Sequence, residues 1–240
     1  MPPAPASARF PSTPWSCIRA AQDPHHPQFV ACMNRLMSSY WRPVYHYLRA
    51  QGHRETAEDL TQAFFLRFLA RGWLQRADPH RGRFRDFLRI MLRRFASDQT
   101  ARAPRQAQFE RQFVSIASLV RDSDRAYEPP AHETPEEAFD RQWKAETLAA
   151  VRRNLRAYYE GKERPEDRRR FAIFAAYHFV DRAEDQPTQD ALAERFGVSR
   201  EQVRYALEEV GKRYARFLRQ EVRDQVGSEA EVDEELRGLL

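Results

Sequence analysis

Lysine and cysteine are nearly absent from this chain. Of its 40 basic residues only three are Lys and thirty-seven are Arg, a skew that genome composition explains as readily as chemistry and that carries little functional weight. Cys17 and Cys32 are far apart and share no metal-ligand spacing with the seven His residues. That argues against a disulfide framework or a zinc site and for reduced thiols in a cytoplasmic protein. No apolar run is long enough to span a bilayer, the N-terminal MPPAPASARFPSTP has no signal-peptide core, and no internal repeat occurs. HExxH, a Gly-rich phosphate loop, a nucleophile elbow and clustered carboxylates are also missing. The sequence therefore nominates no catalytic residue, metal ligand or cofactor.

What is present is a helical pattern with an uneven charge. In 240 residues, 42% hydrophobic content allows real cores and 31% charged content speaks against a membrane protein. The net charge of +5 hides its distribution: residues 1–104 hold sixteen Arg against seven acidic residues, whereas residues 224–240 hold six acidic residues and one Arg. The front half favours a polyanion and the tail does not. An all-α chain of two small helical domains is expected, with a disordered segment at 1–14, a first domain at 15–102, an irregular Pro-rich linker at 103–137, a second domain at 138–223 and an acidic tail at 224–240. The linker has room for a helical turn at 109–119. Two roles are open for the tail: packing on a domain, or restraint of DNA binding.

Residues 56–100 are the centre of the first domain and read as TAEDLTQAFFLRFLARG, the loop WLQRADPHRG, and RFRDFLRIMLRRFASDQT. In the last of these Phe84, Phe87, Leu88, Met91, Leu92 and Phe95 form one continuous helical stripe. Arg85, Arg89 and Arg93 recur beside it at every fourth residue. Guanidinium groups suit phosphates and base edges because each is a planar donor fork, although arginines outside an amphipathic helix are also how any soluble bundle looks. In the preceding helix Thr56 is placed to cap, with Asp59 in a variant of the capping box, and Leu60, Phe64, Phe65, Phe68 and Leu69 make a broad apolar stripe. Upstream, Phe29 to Ala50 turns Leu36, Tyr40, Val44, Tyr47 and Leu48 to a core, and Pro43 is expected to kink or divide that helix. His25 and His26 read as loop residues.

In the second domain Pro135 opens a helix carrying Phe139, Trp143, Val151, Leu155 and Tyr158, which should cover the domain, and Arg168 to Val180 gives another with His178 at a core edge. From Thr188 the chain has the grammar of a helix-turn-helix. Thr188 caps a helix holding Leu192 and Phe196, Gly197 allows the turn, and Ser199 with Gln202 forms a capping box for a helix that buries Val203, Leu207, Val210, Tyr214 and Phe217. The start of such a helix enters the major groove, which nominates Arg200, Gln202, Arg204, Tyr205 and Lys212 for base edges, and Arg213 and Arg216 for phosphates.

AEDLTQAFFLRFL, RGRFRDFLRIMLRRFASDQ and TQDALAERFGVSREQVRYALEEVGKRYARFLRQEV together resemble regions two and four of bacterial RNA polymerase sigma factors of the extracytoplasmic-function class. The likeness runs from about Trp15 to the C-terminal EVDEELRGLL. It implies a transcription initiation factor with no enzymatic step of its own. Glu58, Asp59 and Gln62 would dock on core RNA polymerase. Arg85, Arg89, Arg93 and Arg94, with Ser97 and Asp98, would hold and open the downstream (minus-ten) promoter element, and the helix-turn-helix would bind the upstream (minus-thirty-five) element. By the same resemblance the linker passes near the RNA exit path and an anti-sigma protein is a candidate partner. The chain departs from the pattern where Ala63 follows Gln62 in place of Glu, where Arg94 stands for a common Asn, and where Ala206 and Glu209 occupy positions that are often basic. A stand-alone helix-turn-helix regulator and a helical protein-binding adaptor are the other readings.

Overall fold

A computed structural model describes residues 14–98, 124, 127–130, 132–180, 182–226 and 228–239. The N-terminal segment expected to be disordered and the turn expected at 109–119 lie outside these residues, apart from Pro14. Among the described residues all regular structure is helical, no helix is long and apolar enough to cross a membrane, and no group of three His, Cys, Asp or Glu is arranged to hold a metal ion. The chain divides into two compact units, one of Pro11–Thr147 with Glu221–Leu240 and one built on Leu148–Gln220. The acidic C-terminal segment thus belongs with the first unit.

The first unit contains α1 (Trp15–Ala20), α2 (Phe29–Ala50), α3 (Ala57–Ala70), α4 (Phe84–Ser97), the beginning of α5 (Pro135–Glu160) and a C-terminal helix, α9 (Glu229–Leu239). Its core is aromatic. Phe64 lies 5.5 Å from Phe95 and 5.7 Å from Phe68 between ring centroids, and Phe84 meets Tyr40 at 5.4 Å and Trp15 at 6.1 Å. Each such side chain contributes about 1.5–3 kcal/mol on burial. The α4 stripe is buried as its spacing requires, at Phe84, Leu88, Met91, Leu92 and Phe95, with Phe87 packed on the core edge.

Of the two outcomes expected at Pro43, a kink or a division, the division does not occur, since α2 runs continuously from Phe29 to Ala50. Proline removes one backbone hydrogen bond and crowds the preceding turn at about 3 kcal/mol, but Tyr40, Trp41, Val44, Tyr45, Tyr47 and Leu48 are all buried around it. Core packing on both sides of the proline holds the helix together. Thr56 precedes α3 without a side-chain capping bond, so the Thr56–Asp59 box does not form. Glu58 and Asp59 still occupy the first turn, where carboxylates favour the helix dipole.

The basic loop between α3 and α4 is ordered by short 3-10 turns at Trp73–Arg76 and Pro79–Arg81. Gln22, just beyond α1, donates to the carbonyls of Leu74 at 3.0 Å and Ala77 at 2.9 Å. Cys17 and Cys32 also meet in this core, although they are fifteen positions apart in sequence. Burial, reinforced by a hydrogen bond with Cys32, pushes the Cys17 thiol up to about 12.

The second unit holds the rest of α5, then α6 (Pro165–His178), α7 (Gln189–Phe196) and most of α8 (Arg200–Arg223). Leu155, Tyr159, Phe171, Phe174 and Val210 form one cluster, and Ile173, Leu192, Val203 and Ala206 another. Helix α5 does more than cover this unit, because Phe139 and Trp143 at its start belong to the core of the first. His178 is exposed at the end of α6, with its ring 4.5 Å from Phe174.

A buried polar nexus in the first unit sets its response to pH. Arg42 donates twice to Asp124 Oδ1, at 2.9 and 2.5 Å, and pairs with Glu146, while the His46 imidazole contacts the same carboxylate at 3.2 Å. Burial holds His46 below its ordinary 6.5, and the opposing pull of Asp124 does not make up the difference. The neutral ring is therefore favoured in the folded state, so its stabilising effect is present above about 6.5 and is lost as the pH falls through the lower folded value. Melting curves should show the midpoint falling below pH 6.5, with a shallower fall in His46→Gln; equal slopes would remove His46 from the account.

Candidate nucleic-acid interface

The helix-turn-helix is built by its own local bonds. Thr188 Oγ1 accepts from the backbone N–H of Ala191 at 3.2 Å. Gly197 ends α7 with φ of +61°, a left-handed conformation that costs an L side chain about 1 kcal/mol or more. Ser199 and Gln202 cap α8 reciprocally: Gln202 N–H donates to Ser199 Oγ at 3.2 Å and Ser199 N–H donates to Gln202 Oε1 at 2.8 Å. Leu192, Val203 and Ala206 are buried beneath the turn. Arg200, Arg204, Tyr205 and Lys212 are left exposed along α8, with Tyr205 at 54%.

The nominated residues of α8 do not stand alike. Gln202 has its carbonyl oxygen committed to the cap, which makes it first a positioning residue. Arg213 is half-buried with its guanidinium 4.5 Å from the centre of the Tyr158 ring. Arg200, Arg204 and Lys212 pair with Asp190, Glu201 and Glu208 at 3.5, 3.7 and 2.6 Å, but every one of these pairs is largely solvated and costs little to exchange for phosphate. Ala206 lies in the core, and half-buried Glu209 accepts from the Tyr159 hydroxyl at 3.1 Å. Both departures from a basic pattern therefore serve the fold of this unit. Arg169 and Arg170 join the surface, since they line an open cleft with Ser199, Gln202 and Tyr205, and Arg170 lies 5.1 Å from the Tyr205 ring centre. The run of three arginines at 168–170 was the available sign.

The arginine edge of α4 is arranged differently, because each guanidinium is met by a carboxylate from a distant part of the chain. Arg83 pairs with Glu234 at 2.6 Å and also with Glu235. Arg85 pairs with Glu235 at 2.5 Å and lies 4.1 Å from the centre of the Trp143 ring. Arg89 bridges Asp86 at 2.7 Å and Asp140 at 2.6 Å, and Arg93 pairs with Glu136 at 2.9 Å. Arg85 is only 15% exposed and Glu235 only 4%. Low solvation makes that pair less sensitive to screening than the exposed pairs of α8. Arg83, which lay outside the fourfold arginine pattern, is part of the same row.

Beyond this row, Arg94 and Ser97 are exposed, as is Ile90 at 49%. Asp98 is half-buried at the end of α4 and accepts from Arg67 at 2.5 Å, so it anchors α4 to α3. On α3, Asp59 is exposed while Glu58 and Gln62 are half-buried. Ala63 packs against the core, so a longer acid at that position would have to reach around the helix edge.

No family model, curated protein or solved structure matches the chain.

The cap geometry sets a stability prediction. Ser199→Ala removes one acceptor from the start of α8 and should cost about 1 kcal/mol of stability in this unit, with Ser199→Asp largely retaining it. Denaturant melts of the two variants, followed by helical circular dichroism, measure the difference.

Proposed function

We propose that this chain is a bacterial transcription initiation factor of the sigma type, acting in the cytoplasm as a non-enzymatic subunit of RNA polymerase. The observation that carries the reading is the complete helix-turn-helix, capped at both helices and presenting Arg200, Arg204 and Tyr205 outward. It follows in sequence a first unit whose α4 bears an arginine row. Glu58, Asp59 and Gln62 on α3 form the polymerase-docking face. The α4 edge with Arg94 and Ser97 takes the downstream promoter element and holds bases of the displaced strand, whose unstacking costs a few kcal/mol and is offset by cationic and stacking contacts. The α8 surface takes the upstream element as duplex. Two modest contacts on one chain give an avidity that neither has alone. An anti-sigma protein is a further candidate partner.

A second reading draws on the same helix-turn-helix, since its folding bonds are all internal: a stand-alone regulator that binds duplex DNA as a dimer. Co-elution with bacterial core RNA polymerase separates the two. The sigma reading expects a stoichiometric complex that Asp59→Arg abolishes, whereas a protein that ignores polymerase and dimerises on duplex DNA is the regulator. In the polymerase complex, Arg204→Ala should leave co-elution intact and weaken promoter binding by about 1–3 kcal/mol, the range of one good base contact. Equal loss of both activities would argue against the division of labour.

A further inference from the structure

We infer that α9 is an internal stand-in for nucleic acid, a removable acidic cover that holds part of the α4 arginine row until a polyanion displaces it. The inference rests on the proposed use of that row as a DNA-binding edge. Four arginines in succession, Arg83, Arg85, Arg89 and Arg93, face carboxylates, and these come from two places. Glu136 and Asp140 belong to α5, whose neighbouring Ala138, Phe139, Gln142 and Trp143 are buried in the core. That half of the cover is fixed. Glu234 and Glu235 belong to α9, which is eleven residues long and buries only Val232 and Glu235 of its own side chains, with Leu239 at the core edge.

An isolated helix of this length is marginal in water, so α9 owes its order to this docking. Its hold combines buried Val232 and Leu239 at the core edge with ion pairs to Arg83, Arg85 and Arg223, and so includes two arginines a phosphate backbone would want. The closed pairing is also imperfect, since Arg85 Nε makes no hydrogen bond among the described residues and faces Asp86 only at 4.0 Å, and a poorly met donor favours a state that satisfies it. Phosphate oxygens offer the same acceptor chemistry as Glu234 and Glu235 in denser supply. In the displaced state Arg83 and Arg85 turn to phosphate, and Trp143 stays behind Arg85 as a ring on which the guanidinium rests.

The test uses the full chain and a fluorescent single-stranded oligonucleotide of mixed sequence, read by anisotropy across a salt series. Glu234→Gln with Glu235→Gln should tighten binding by about tenfold, the gain expected if the open form is a tenth of the population. It should also flatten the competition that the closed form imposes at low oligonucleotide concentration. The charge-matched pair Glu160→Gln with Glu163→Gln, exposed and outside α9, should change binding by less than about twofold. Val232→Ala, which leaves every charge in place, should shift binding in the same direction as the first pair. On the wild type, saturating oligonucleotide should speed amide hydrogen exchange across 229–239 while leaving α2 protected. Equal effects of the two charge pairs would reduce the finding to net charge, and continued protection of α9 at saturation would overturn the inference. A chain that co-elutes with polymerase and binds the oligonucleotide without these differences loses the cover but keeps the sigma reading. A chain with neither affinity loses both.

Discussion

Arg85 is the point at which the first unit is tied together. Its guanidinium rests on the Trp143 ring and pairs with Glu235, so α4, α5 and α9 are joined through one side chain. Trp143 in turn donates its indole N–H to Gln225 at 3.1 Å, which links α5 to the segment that leads into α9. An arginine so enclosed needs both partners: the ring accepts its flat face and the carboxylate its charge. Loss of either would leave a cation in a site with little water, and breaking a buried pair costs more than forming it returns.

The two arginine-bearing helices therefore differ in kind. Around α8 the ion pairs are exposed and the helix is defined by its caps, so its cations are ready for exchange. Around α4 the carboxylates come from distant segments and the pairs differ in shelter, Arg85–Glu235 being enclosed and Arg93–Glu136 exposed. One composition serves two ends because solvation sets the strength of each pair.

Features decided within a few residues were legible in the sequence. The α4 stripe, the Thr188 cap, the Gly197 turn and the Ser199–Gln202 box follow from spacing and side-chain chemistry, and each is present. Features decided by packing were not. Pro43 carries a strong local signal for a break, and the buried residues around it outweigh that signal. Thr56 has the right side chain and makes no capping bond. Ala206 and Glu209 looked like losses from a basic face, yet one is core and the other holds Tyr159. The partners of Arg83 and Arg85 are about 150 residues away along the chain. No periodicity within α4 encodes them, and the opposite charge of front half and tail was the available sign that the two meet.

The paired thiols have a consequence for how the molecule can be watched. Cys17 and Cys32 are buried free thiols that face each other, and burial pushes the Cys17 thiol far above the range in which it ionises at neutral pH. A thiolate is the species that reacts, so an alkylating reagent meets neither sulfur until their shared core opens. The native chain carries its own clock: the pace of alkylation counts the openings of the first unit, with no label introduced and no residue changed.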